Sequence, residues 1–137
     1  MHKLTRRVPI ATLIAVVAVC GVALAAKPKP LGSYGDQHTS LQADTKGKTL
    51  TSFDGVCTPV TNPKYTFTYD WGIPVKSSGK FHASHKNSVN TPAGQTLGIQ
   101  TLVTIKGKFV SRTEAKGSYL LHKSGCKKIK FDVKLGQ

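Results

Sequence analysis

Lys128-Ile129-Lys130-Phe131-Asp132-Val133-Lys134-Leu135 decides the fold class. Every second residue is apolar, and lysine or aspartate fills the positions between. Side chains alternate across a β-strand, so this pattern buries one face and wets the other. Continuous apolar runs would mark a parallel sheet covered on both faces. The stretch therefore predicts an antiparallel strand with one solvated face.

The same period recurs upstream. Thr49–Phe53 lies between Gly47 and Gly55, and Tyr65–Trp71 sets four aromatics on one face. Leu97–Ile105 brings Leu97, Ile99, Val103 and Ile105 together, and Gly117–His122 is a shorter example. Tyr34–Leu41 and Gly79–Ala83 add two candidates. Lys106–Ser111 either continues the Leu97 strand or starts another after a bend at Gly107. Thr58–Pro63 and Asn87–Gly94 read as loops from their Pro, Asn and Gly content. Gly79-Lys80-Phe81 is echoed by Gly107-Lys108-Phe109 without a fixed period, so no repeat architecture follows. No helical period survives after residue 26. The expectation is an all-β fold, an antiparallel β-sandwich or partly closed barrel of about seven to eight strands, after an N-terminal signal helix.

The signal is read from the first residues. His2, Lys3, Arg6 and Arg7 precede a nearly unbroken apolar stretch from Val8 to Ala26, with Ala23-Leu24-Ala25 near its end. A positive end, an apolar segment and small residues at a cleavage site form a secretory signal. The expected division is a signal over 1–25, an extended linker over 26–33 and a single β-rich domain over 34–137. An uncleaved anchor is the alternative. The apolar stretch is slightly short of the roughly 20 residues a spanning helix needs, and Lys27 and Lys29 blur its charge asymmetry. Pro9 spoils a twin-arginine reading of Arg6-Arg7, and Val19 spoils a lipobox reading of Cys20. The expected address is secreted or cell-envelope associated.

Cys20 falls in the signal, which leaves Cys57 and Cys126. Two cysteines in an oxidising compartment pair, with free structural thiols as the alternative. Such a link closes a loop of about 70 residues and contributes about 4 kcal/mol in the chain-entropy account. The full chain carries 20 Lys+Arg against 6 Asp+Glu. Loss of Lys3, Arg6 and Arg7 leaves 17 cations against 6 acids, a net +11. That charge predicts affinity for acidic polymers and surfaces.

The layout also carries a resemblance. Leu31-Gly32-Ser33-Tyr34-Gly35 is followed by Cys57, by Ile73-Pro74-Val75 and by Ser77-Ser78-Gly79-Lys80-Phe81. Lys106-Gly107-Lys108-Phe109 then leads through Glu114–Tyr119 to Cys126 and the strand Ile129–Val133. This resembles small secreted β-rich proteins of actinobacterial type. The resemblance implies the β fold and the disulfide, and it transfers no catalytic residue.

The sequence holds few candidates for chemistry. His82 and His85 are three apart in a strand, so they point to opposite faces and do not converge on a metal. His38 and His122 stand apart from them. Asp36 and His38 form the only acid–histidine pair close in sequence. No Gly-x-Ser-x-Gly elbow, adjacent carboxylates or nucleotide-binding glycines are present. No cofactor is implied.

The basic residues remain. Lys106, Lys108, Arg112 and Lys116 form one group, and Lys123, Lys127, Lys128, Lys130 and Lys134 a second. If their strands are neighbours, the groups merge into one stripe. A stripe of this kind attracts an anionic envelope polymer, lipid head groups or polysaccharide, with strong salt dependence. Export takes the chain away from the cell's nucleic acid. The bland alternative is a solvated face whose lysines guard against edge pairing. The aromatics of Tyr65–Trp71 are candidates for a platform for bases or sugars, against an ordinary role in the core. The functional expectation is a non-enzymatic exported module that binds an acidic partner. The alternatives are a small hydrolase with a loop-built site around His82, His85 and Asp36, or a purely structural envelope protein. N-terminal sequencing of the exported protein is expected to begin at Ala26; a start at Met1 would favour the anchor.

Overall fold

The computed structural model describes residues 26–58, 64–90 and 96–136, with the side chains of 96–99 excepted. The signal over 1–25, the Pro59–Pro63 stretch and the Pro92–Gly94 turn lie outside the described residues, as do the side chains of Leu97 and Ile99. The described residues contain no helix. They form β1 (Ser33–Gly35), β2 (Thr39–Ala43), β3 (Thr49–Cys57), β4 (Tyr65–Tyr69), β5 (Ile73–Pro74), β6 (Lys80–Asn90), β7 (Thr96–Ser111), β8 (Glu114–Leu121) and β9 (Ile129–Leu135).

All strand pairings are antiparallel. The order β2-β1-β9-β8-β7-β6-β4-β3 is closed by the pairing of β2 with β3, and β5 is an extra strand on β3. Of the two expected architectures, the protein adopts the barrel. Its eight ring strands run up and down in chain order, and β1 against β9 joins first to last. A sheet closed on itself has no free edge along its ring.

Several boundaries differ from the sequence reading for local reasons. Tyr34–Leu41 is two strands, because Asp36 Oδ1 accepts from the backbone N–H of His38 at 2.7 Å and Thr39 at 2.8 Å. Such a carboxylate turn reverses the chain. Asn87 does not start a loop, since β6 runs on to Asn90. Its side chain is buried and donates Nδ2–H to Thr68 O at 2.9 Å. Lys106–Ser111 continues β7, with a register shift between Phe109 and Ser111 in place of a bend at Gly107. Residues 26–33 lie against the barrel. Pro28 is buried, Leu31 N–H donates to Asp44 O at 2.8 Å, and Lys29 N–H donates to Tyr34 Oη at 2.8 Å.

Aromatic rings fill the barrel. All five phenylalanines of the chain are buried, with Tyr34 and Tyr119. Phe53 meets Phe67, Tyr119 and Phe131 with centroids 6.1, 5.6 and 5.4 Å apart. Phe81 links Phe131 at 6.4 Å to Phe109 at 5.6 Å, and Phe109 meets Tyr34 edge-on at 5.3 Å. These separations lie in the attractive range for ring pairs.

Room for the rings comes from inward-facing glycines. Gly55 lies opposite Phe67, Gly107 opposite Phe81, and Gly117 opposite Phe131. In each pair the ring lies where the glycine's Cβ would be. Gly107 also lies opposite Gly117, so one row across β6–β9 reads Phe81, Gly107, Gly117, Phe131. A Cβ at Gly117 would further overlap the Lys106 carbonyl and Gly107 Cα, which are backbone and cannot rotate away.

Two tyrosines close the ends. Tyr119 reaches across the barrel from β8, donates to Val56 O at 2.6 Å and accepts from Val56 N–H at 3.0 Å. β2 starts at Thr39, opposite Gly55, so its ladder stops one residue short of Val56. The Cys57–Cys126 disulfide ties the same end to the loop before β9. At the other end Tyr34 donates to Arg112 O at 2.6 Å.

Gly117→Ala is expected to cost about 1–3 kcal/mol, as overpacking does, and Phe131→Ala about 3–5 kcal/mol through the cavity it leaves. Urea denaturation measures both. Burial also raises the phenol pKa of Tyr34, Tyr69 and Tyr119. The unfolded phenols ionise near pH 10, before the folded ones, so the unfolded state holds fewer protons there. Stability is therefore expected to be complete below about pH 10 and to fall as pH rises through the folded values. Melting temperature against pH with wild type and Tyr119→Phe checks this, and the variant is expected to show a smaller alkaline loss.

Candidate functional site

The outward face of β6–β9 is assembled by strand register. Lys108 of β7 lies opposite Lys80 of β6 on one side and Lys116 of β8 on the other. One row further along, Lys106 lies between His82 and Ser118, and Ser118 lies opposite Lys130 of β9. Lys134 lies opposite Glu114. The lysines of these rows are exposed. Neighbouring strands are about 4.8 Å apart, so cations in one row are within a Debye length of each other at about 0.1 M salt.

Like charges directly opposite on a sheet repel. Two acids answer this at one point only. Glu114 Oε1 is 3.1 Å and Asp132 Oδ2 3.5 Å from Lys116 Nζ, and both partners hold the Lys116 ammonium pKa above its ordinary value. Of the nine cations read from the sequence, Lys116 alone makes an ion pair among the described residues.

Register brings together Lys106, Lys108, Lys116 and Lys130. Lys128 joins them through a cleft of about 200 Å³ shared with Lys106, Ser118, Thr104 and His122. Arg112 is not with them. It sits in the β7–β8 turn, in a cleft of about 520 Å³ with Lys27 and Lys46. Lys123 and Lys127 lie in the loop that carries Cys126. The sequence reading left Lys76 and Lys80 out of the basic groups and named His82 only among the histidines. These line a depression of about 280 Å³ with Lys106 and Lys108, floored by Gly107. The signal for Lys80 was the Gly-Lys-Phe echo. In the fold the two copies pair, Lys80 against Lys108, with Phe81 and Phe109 inside.

The histidines serve separate places. His85 Nδ1 lies 2.8 Å from Lys86 O, so Nδ1 carries the hydrogen, and the ring stacks on Trp71 with centroids 4.2 Å apart. His122 Nε2 lies 2.9 Å from Thr104 Oγ1, which is 3.4 Å from Ser84 Oγ. Asp36 is engaged at its turn, and its Oδ2 accepts from Asp132 N–H at 3.2 Å. Asp36 bonds the backbone of His38, and the β1–β2 turn it occupies is tied to β9, whereas His82 and His85 belong to β6. Among the described residues no group of three or more His, Cys, Asp or Glu could hold a metal ion.

Tyr65–Trp71 does not act as one aromatic face. Phe67 and Tyr69 are core, Tyr65 is half-buried, and Trp71 stands past the end of β4, 61% exposed. No protein-family profile, curated protein or solved structure matches this chain.

Proposed function

We propose that the protein is an exported, non-enzymatic barrel that holds an anionic envelope polymer on the outer face of β6–β9. One observation carries this reading: Lys80, Lys108 and Lys116 stand directly opposite one another on three adjacent strands. A surface built only for solubility would alternate its charges and avoid that repulsion. Here the repulsion is relieved at Lys116 and left standing between Lys80 and Lys108, with Lys106 and Lys130 adding unpaired positive charge in the next row. A bound polyanion relieves the rest.

The shape of the face suits the task. The depression over Gly107 is ringed by Lys76, Lys80, His82, Lys106 and Lys108 and accommodates a phosphate- or carboxylate-sized group. The cleft at Lys106, Lys128 and Ser118 lies beside it and offers a second foothold. A polymer spanning both meets cations at a spacing set by the strands. Release of its counterions makes the attraction steeply salt-dependent. The disulfide agrees with life in an oxidising compartment.

Retention on isolated cell envelopes is expected to fall at least tenfold between about 0.1 M and about 1 M salt, where screening shortens from about 10 Å to about 3 Å. The triple variant Lys106→Gln, Lys108→Gln, Lys130→Gln is expected to bind more weakly and with a shallower salt slope, its fold unchanged by circular dichroism. Equal retention at both salt concentrations would sink the electrostatic reading.

A further inference from the structure

Among the described residues the barrel is thinnest at the seam between β4 and β6. β4 and β6 share a single ladder pair, Thr66 with Asn90, where β6 and β7 share a long ladder. Along the rest of the seam Asn87 Nδ2 takes over, donating to Thr68 O. The surface opens there into a groove of about 250 Å³, lined by Thr68, Asp70, Trp71, Asn87, Ser88 and Gln100 among others.

Three features of this groove are unexplained by the fold. Trp71 is the only tryptophan of the chain, yet it is 61% exposed. An indole left largely in water forgoes the stabilisation that burying so large an apolar ring would give. His85 stacks on it at 4.2 Å and 29°, which holds the ring in place and leaves its other face to solvent. Second, Asp70 makes no hydrogen bond or ion pair among the described residues, whereas Asp36, Asp44, Asp54, Glu114 and Asp132 each do. Third, Asn87 Oδ1 is buried at the seam with no partner among the described residues. A buried polar atom left unpaired is costly and calls for an explanation.

We propose that this groove is a binding site for a neutral oligosaccharide, separate from the basic face. A sugar ring carries an apolar C–H face and a rim of hydroxyls that both donate and accept. A fixed indole takes the first through dispersion and burial. Planar carboxylate and amide groups take the second, because each meets two neighbouring hydroxyls at once. Asp70 and Gln100 supply such groups at the surface, and the buried Asn87 Oδ1, unpartnered among the described residues, lies at the seam beside them. Charge separates this ligand from a nucleic acid or polyanion. The lining holds one acid, Asp70, and one cation, Lys86. A polyanion needs several cations along its backbone, and here it would meet a carboxylate beside the stacking ring.

The chain reports on the site by itself, since tryptophan emission arises from Trp71 alone. The exported protein is titrated with cellotetraose, mannotetraose, chitotetraose and galactotetraose. At least one is expected to give a saturable change in emission, the same at about 0.1 M and about 1 M salt. Asp70→Ala and Gln100→Ala are each expected to weaken that sugar at least fivefold while keeping the tryptophan signal. Trp71→Ala is expected to abolish binding by calorimetry, and Trp71→Phe to retain part of it. The lysine triple variant is expected to bind the sugar as wild type does, so failure of the basic-face reading leaves this one standing. No emission change with any of the four sugars up to about 10 mM would overturn the proposal, affinities weaker than that being marginal for a specific site. So would a change produced by a single-stranded oligonucleotide and by none of the sugars.

Discussion

The interior of an eight-stranded barrel is just wide enough for side chains, so whatever fills it sets how the sheet closes. Here the filling is aromatic, and the rings fit because glycines face them. Phe67 over Gly55, Phe81 over Gly107 and Phe131 over Gly117 are cross-strand pairs in which one partner supplies bulk and the other supplies space. Glycine within a strand costs stability and has no side chain to pack. A ring from the neighbouring strand restores the missing contact and shields the backbone. The register of six strands thus depends on three pairs. A slip of one residue on β7 would set Lys106 or Lys108 against the core and Gly107 against solvent.

The rest of the fold can be derived from that packing. Rings in the middle leave the barrel ends to be closed by groups with both a body and a polar tip. Tyr34 and Tyr119 meet that need, each donating to one carbonyl and accepting from one backbone N–H. The disulfide reinforces the Tyr119 end, where β2 stops short of Val56. Closure is uneven nonetheless. β5 turns back onto β3 at Leu50 and Thr49, so the chain reaches β6 without a tight hairpin and meets β4 at one pair only. The seam, and the Asn87 amide that bridges it, follow from that detour.

Alternation in the last strand carried the fold class because Phe131 and Val133 face the core while Lys130, Asp132 and Lys134 face water. Two-residue periodicity is a local signal and survives into the fold. The β1–β2 reversal did not stand out, because Asp36 acts by bonding backbone N–H groups two and three residues ahead, without glycine or proline. Asn87 misled for the opposite reason: an asparagine that marks a turn in a peptide here spans a gap between strands. The basic face was half legible. Lysines at alternate positions reveal that a face is wet and positive, but only register reveals that Lys80 faces Lys108. Proximity in sequence groups Arg112 with the stripe, but it lies in the β7–β8 turn beside Lys27 and Lys46.

The acids explain why the surface charge is so one-sided. Five of the six have structural work: Asp36 and Asp44 hold turns, Asp54 accepts from Ser40 and Thr68 across two strands, and Glu114 and Asp132 share Lys116. Asp44 shows how firmly, since backbone N–H groups led by that of Lys48 hold its carboxyl below the usual range. Carboxylates committed to the scaffold are not free to neutralise lysines elsewhere. The lysines, in turn, need no partner to stay folded, because their stems lie on the outside of strands whose inner faces are already packed. Charge on this barrel can therefore change by substitution of cations without touching the core, whereas loss of an acid removes a turn or a cross-strand bond. Asp70 is the exception among the acids, and it stands beside the one exposed tryptophan. An acid with no partner among the described residues and an exposed indole are neighbours, and that juxtaposition marks the groove as something other than a by-product of closure.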